Sequence, residues 1–433
     1  MVTPRKTTLG FWALLALVVG NMIGSGIYLL PATLAPLGWN QAAGWIVTLG
    51  GALCLALVFA RLSAALPRAG GPYAYADAAF GPLAGYTAAW SYWVMTWVGN
   101  GAIAIAVVSQ LSLIEPRIAV VPGLPAVLAV ACVWLLTAIN LAGVRAAGRV
   151  QTVTTLLKVV PLIALIALAA WFALSGAPHA PDPGVPLTSG NIAAAAGLTF
   201  WGFLGLESAT VPADKVTDPA RYVPRATLIG VGLTGLIYLG ISLAFAFYMP
   251  ASEAAASPAP VAAFLGKTFG SGVAQGVALF AAISAFGALN GWILIQGEMP
   301  WAMARGGVFP AWFAHESARG IPLRGHLVSS SLLTIVILLN AQKGMAKLFE
   351  FIGSVSIAAG LVAYLLSALA ALKLLPGQPR VFPAAVVAAL FTLWAEWGLG
   401  LQAMLYGGGL IGLGLALYPL VKTAKSSAAA AGR

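Results

Sequence analysis

Twelve long apolar runs, separated by short polar or Gly/Pro-rich stretches, take up nearly all of the 433 residues. They fall at 11–35, 42–66, 83–113, 122–143, 149–174, 190–213, 226–249, 271–304, 326–340, 346–373, 381–397 and 400–421. A helix that crosses a bilayer needs about 20 apolar residues, a length that most of these runs reach; the ninth and eleventh are short. The strands of a membrane barrel alternate in polarity over about ten residues, whereas these runs are continuous. A soluble fold fails on charge, because 8% of the residues are charged and 61% are hydrophobic. A globular domain carries about 25% charged residues, and a chain with so few cannot cover its own surface in water. A cytosolic enzyme, a secreted domain and a disordered chain are therefore excluded. The remaining class is an all-α polytopic membrane protein with about 12 transmembrane helices.

An even number of spans puts both termini on one side. With that side cytoplasmic, 17 of the 22 Lys and Arg residues lie inside, four lie outside (Arg117, Lys267, Lys343 and Lys347), and Lys158 lies within a span. This positive-inside bias predicts a multi-pass protein of the cell (inner) membrane with both termini cytoplasmic. It also accounts for the net charge of +11 without a nucleic-acid partner. Residues 1–10 read as a cytoplasmic N-terminus without a signal-peptide cleavage site, and 422–433 as a cytoplasmic tail. Cys54 and Cys132 sit inside apolar runs and read as small core side chains.

Two spans are interrupted in the middle. The first contains Gly20-Asn21-Met22-Ile23-Gly24-Ser25-Gly26, and the sixth contains Trp201-Gly202-Phe203-Leu204-Gly205-Leu206-Glu207. Glycine disfavours helix by about 1 kcal/mol relative to Ala, so a cluster of it argues for unwound backbone. Unwound backbone survives at that depth only where it is buried in protein or lines a cavity. Close helix packing through small residues would explain one such site, but less readily two sites five spans apart. An odd repeat length inverts the second copy, the arrangement in which two broken helices meet at the membrane midplane. Residues 11–174 (helices 1–5) then form a first inverted repeat, 190–373 (helices 6–10) a second, and 381–421 helices 11 and 12.

Ionisable groups inside a span mark function by default, and Glu207 and Lys158 are the two candidates. Glu207, next to the second break, could attract a cation or accept a proton; the alternative is a structural acid paired with a base. Lys158 shares a helical face with Gln151 and Thr155, and Pro161 follows it. Its ammonium could stand where another transporter holds a sodium ion, or it could snorkel to the cytoplasmic interface. Tyr92, Thr96, Asn100 and Ile103 make one stripe on span three, and Gly353, Ser356, Gly360 and Tyr364 another on span ten. Opposite two broken helices these stripes read as cavity walls. Trp201 and Trp292 lie too deep for interfacial anchors and suit a cation or an aliphatic stem. Amides around Ser25 and Gly26 can hold a carboxylate while carbonyls near Ile23 take an ammonium, which together describe an α-amino acid.

The segments Gly20–Ile27, Gly70-Gly71-Pro72-Tyr73-Ala74-Tyr75 and Phe80-Gly81-Pro82 resemble the amino acid–polyamine–organocation superfamily. Tyr92-Trp93, Trp97-Val98-Gly99-Asn100, Gly205-Leu206-Glu207-Ser208-Ala209, Gly291-Trp292 and Gly353-Ser354-Val355-Ser356 follow in the order of its basic amino acid/polyamine antiporter branch. The resemblance implies a LeuT-like five-plus-five inverted repeat with helices 1 and 6 broken. It implies that Asn21, Ile23, Gly24, Ser25 and Gly26 bind the amino-acid head, and that Asn100, Ile103, Trp201, Leu204, Trp292 and Ser356 line the side-chain pocket. Tyr92, Glu207 and Tyr364 would form a gate near the periplasmic side. Two departures stand out. Ile103 replaces a methionine of the arginine-exchanging pattern, and Lys158 occupies a position where proton-coupled and neutral amino acid members carry lysine. The chain thus mixes features of a cationic exchanger and of a neutral amino acid transporter.

The leading expectation is a secondary active antiporter working by alternating access, exchanging an arginine-like amino acid for an amine or another amino acid. Its partners would be that substrate, the lipid bilayer, and as further candidates protons and a second copy of the chain. Transport of neutral amino acids is the alternative. An embedded enzyme would need paired acid/base groups or a metal cluster, yet His179, His315 and His326 read as loop residues. A channel would want a ring of repeated polar residues, and no Gly-x-x-x-x-Gly-Lys loop for ATP is present. No cofactor or metal is expected.

Overall fold

The computed structural model describes residues 10–24, 26–66, 71–142, 159–210, 216–317 and 320–431. Ser25, Gly70 and Lys158, together with Gln151 and Thr155, lie outside the described residues. The regular elements are helices. The first span is split into α1 (Phe11–Met22) and α2 (Gly26–Leu34), and α3 (Asn40–Ala65) is the second. A short α4 (Pro72–Phe80) precedes α5 (Pro82–Leu111), the third span; one turn, α6 (Arg117–Val120), leads to α7 (Leu124–Ala142). The fifth and sixth spans appear as α8 (Val160–Ser175) and α9 (Ser189–Thr199), and α10 (Pro219–Tyr248) is the seventh. Two short helices, α11 (Ala251–Ala256) and α12 (Pro260–Phe269), connect to α13 (Ser271–Arg305), α14 (Leu323–Leu339) and α15 (Met345–Leu374). The chain closes with α16 (Val381–Gly398) and α17 (Gly400–Ala431).

Eight of these helices are long and apolar enough to cross a bilayer alone, and α1 with α2 makes a ninth across a bend. α8 and α14 are apolar but shorter, and α9 stops after 11 residues at the second break. Every one of the twelve sequence runs is occupied by one of these helices. Their starts are coded locally. Proline, whose missing N–H costs nothing in the first turn, opens α4, α5, α10 and α12. The Thr188 side chain accepts from the Asn191 N–H at 3.1 Å to cap α9, and Asp218 accepts from the Arg221 N–H at 3.3 Å to cap α10.

α5 is the central post. Every residue from Ala88 to Gln110 is buried, with α13, α14, α15 and α7 packed around it. That position explains why a membrane helix can carry Ser91, Thr96, Asn100 and Gln110, since none of these polar groups faces lipid. α3 packs on α10 and on α9, and α1 packs on α10. The rim helices turn bulky apolar groups outward, among them Leu135, Trp171, Leu174, Leu390, Leu401 and Leu405. In water such a surface would aggregate, but in a bilayer it matches the solvent.

Candidate functional site

The first break is short. α1 keeps Gly20 and Asn21 and ends at Met22, and α2 resumes at Gly26. The Met22 carbonyl accepts from the Tyr238 hydroxyl of α10 at 2.7 Å, so a tertiary contact stabilises the helix end. The second break is longer. After α9 comes a 3-10 turn over Phe200–Phe203, then extended backbone at Leu204 and a left-handed Gly205 (φ 96°). A side chain at 205 would be strained by that φ and would crowd the Asn21 Cβ at 3.3 Å. The two breaks touch through the Asn21 amide, which donates to the Ser208 Oγ at 2.8 Å.

Between them lies a small cavity lined from both sides. The first break contributes Asn21, Met22, Gly24 and Gly26, and the second contributes Trp201 and Leu204. α5 supplies Met95, Thr96, Gly99, Asn100 and Ile103, α13 supplies Trp292, and α15 supplies Ser356. Ile23 is fully buried but does not face the cavity. The Ser356 hydroxyl is committed to the Met95 carbonyl at 2.7 Å, which ties α15 to α5 at the cavity wall. Among the described residues the wall carries no ionisable side chain, and no group of three or more His, Cys, Asp or Glu could hold a metal.

Trp201 closes one side. Its indole lies so near Gly26 that a Cβ there would stand 2.1 Å from the ring Cδ1, and at Gly353 a Cβ would stand 3.6 Å from Cε3. Phe349 meets the ring edge-on at 5.7 Å between centroids. Beyond the indole is a narrow gap bordered by Leu30, Thr33, Ser354 and Glu350, so Trp201 stands between it and the cavity.

A carboxylate lies three residues beyond Leu204, outside the cavity lining. Glu207 is fully buried; its Oε1 accepts from the Tyr92 hydroxyl at 2.6 Å and its Oε2 from the Tyr364 hydroxyl at 2.7 Å. Tyr92 lies toward the Pro82 end of α5 relative to Asn100, and Tyr364 toward the Leu374 end of α15 relative to Ser356. By the alternation of spans both ends lie on the side of the membrane where α1 begins. The Tyr–Glu–Tyr cluster is on that half of the protein, and Trp201, at the end of α9, is toward the other.

His326 needs a correction. It is not a loop residue but a fully buried one on α14, with neither ring nitrogen paired to protein. The sequence reading also missed Met22, Met95 and, behind Asn100, Gln296. The signal for Gln296 was available: it is a polar residue in mid-span four positions after Trp292, the same helical stripe.

A family model described as amino acid permease matches residues 9–405. The chain belongs to the amino acid permease family. The permease is 34% identical to the cadaverine/lysine antiporter of Escherichia coli (strain K12) over 345 residues, covering 78% of this chain and 77% of the relative. It is 30% identical over 431 residues to the putrescine transporter PotE of Haemophilus influenzae, covering 97% and 98%. A putative arginine/ornithine antiporter of Bacillus subtilis is 30% identical over 453 residues, covering 95% and 96%. These relatives put the permease in the basic amino acid/polyamine antiporter branch. It is a secondary transporter embedded in a membrane, and the enzyme reading falls away because family and relatives move solutes rather than transform them.

Proposed function

We propose that the permease exchanges a cationic amino acid for an amine or a second amino acid across the cell (inner) membrane by alternating access, with both termini cytoplasmic. The observation that carries this reading is one cavity framed by two broken helices, with Trp201 on its wall and a tyrosine-bound carboxylate three residues past Leu204. The amino-acid carboxylate would meet the N–H groups that open α2, where the helix dipole favours negative charge. The side-chain cation would lie by Asn100 and the faces of Trp201 and Trp292. Glu207 would hold the cytoplasmic gate shut through its two tyrosines, while Trp201 swings to admit substrate from outside. Residues 11–174 and 190–373 would be the inverted repeats whose relative motion alternates access. Lys158 would fix the first break as a sodium ion does elsewhere. The printed functions of the relatives support the substrate class.

One observation favours neutral amino acids instead: the described cavity wall is uncharged. Proteoliposomes decide between the two. Labelled lysine should enter only vesicles loaded with lysine, arginine, cadaverine or putrescine, and excess leucine or alanine should not compete. Uptake into empty vesicles would refute exchange, and competition by leucine at equal concentration would refute the cationic assignment.

A further inference from the structure

Asn100 is the one amide on the cavity wall contributed by α5, and which end it offers to a ligand decides what it recognises. An amide can be turned either way without changing shape, so the choice has to be fixed by its partners. A chain of buried groups on α13, α14 and α7 fixes it. The Thr137 hydroxyl donates its only hydrogen to the Val133 carbonyl at 2.7 Å. Its 2.8 Å contact with Ser330 must then be a bond in which Ser330 donates. With that hydrogen used, the Ser330 Oγ can only accept, and it accepts from the Gln296 Nε2 at 2.9 Å. The Gln296 Oε1 therefore faces Asn100 and accepts from its Nδ2 at 2.7 Å. The Asn100 Oδ1 is left buried without any protein partner. The direction of the whole chain is set by a backbone carbonyl on α7, which has no hydrogen to give.

We infer that Gln296 is a positioning residue for selectivity: through this directed chain it holds Asn100 with its carbonyl oxygen unspent, so the cavity selects a side chain ending in an N–H donor such as an ammonium over an apolar side chain that lacks the donor and ends in a methyl group. An orphaned buried acceptor is costly until a donor reaches it, and lysine brings that donor where norleucine cannot. Reversed, Asn100 would present N–H groups and repel the same cation. The inference rests on the cationic reading proposed above.

The test is displacement of labelled lysine by unlabelled lysine and by norleucine, on purified full-length protein in detergent. Gln296→Met should lower the lysine-to-norleucine affinity ratio by roughly tenfold while norleucine affinity holds. Ser330→Ala frees the Gln296 amide to turn, and two equally populated orientations alone would weaken lysine by about twofold. Ser330→Thr keeps the hydroxyl and should keep the wild-type ratio. Should Gln296→Met yield no monodisperse protein, the Ser330 pair decides. A ratio unchanged in Gln296→Met or in Ser330→Ala, or a parallel loss of lysine and norleucine affinity, overturns the positioning role. A wild-type protein that binds norleucine as tightly as lysine overturns the cationic reading itself, and the inference with it.

Discussion

A single added methyl group at Gly26 should separate a built cavity from a gap left by packing. In Gly26→Ala the new Cβ would stand 2.1 Å from Cδ1 and 2.3 Å from Nε1 of Trp201. Carbon atoms in ordinary contact are about 3.5–4.0 Å apart, so the indole must retreat by about 1.5 Å. It has little room, because Phe349 stands against it and Gly99 lies close enough that a Cβ there would be 3.4 Å from Cη2. Overpacking of this kind costs about 1–3 kcal/mol. If the strain falls on the bound state, affinity drops by roughly fivefold to a hundredfold, at tenfold per 1.4 kcal/mol. Gly24→Ala is the internal control, since its Cβ would meet only the Ala288 Cβ at 3.8 Å, an ordinary contact. Titration calorimetry gives the affinities, and tryptophan emission reports the indole. Equal affinity and equal emission in the two variants would refute the assignment of Trp201 as the lid of the cavity.

Three further outcomes follow from the geometry and the sequence. Tyr92→Phe leaves one Glu207 oxygen without its donor and should lower the thermal midpoint at a cost of about 1–3 kcal/mol. In Glu207→Gln the same tyrosine substitution should cost clearly less, and equal costs in the two backgrounds would deny the coupling. Trp292→Leu should weaken a cationic substrate by about 1–2 kcal/mol if the stem stacks on the indole, measured as a change in dissociation constant. Lys158→Ala should slow uptake of every substrate without reordering them in competition assays, and a changed order would make the lysine a pocket residue instead.

The helices were legible because lipid enforces a simple rule: a run of about 20 apolar residues has little choice but to be a helix. The breaks were legible through glycine, although Gly20 stays helical and the second break begins at Phe200, before the glycines. Ten of the expected wall residues, from Asn21 to Ser356, line one cavity, because mid-span polar and small residues are displayed in helical stripes. Less legible was everything that depends on which helix faces which. The chain from Thr137 to Asn100 crosses four helices, and no spacing within one helix announces it. His326 sits at the edge of a weak apolar run, where hydropathy cannot tell a loop from a buried first turn.

The bond from Asn21 to Ser208 bears on how an exchanger can accept unlike cargoes. An amino acid brings a carboxylate and an ammonium, and could itself bridge two loose helix breaks; a diamine brings no carboxylate and could not. Here the breaks are already joined by a 2.8 Å side-chain contact, and the Met22 carbonyl is already held by Tyr238. The ordering cost is met during folding rather than at each binding event, which is what preorganisation means in thermodynamic terms. In the proposed exchange a diamine would therefore enter a cavity whose shape does not depend on the group it lacks, and it would forfeit only the contacts of that group.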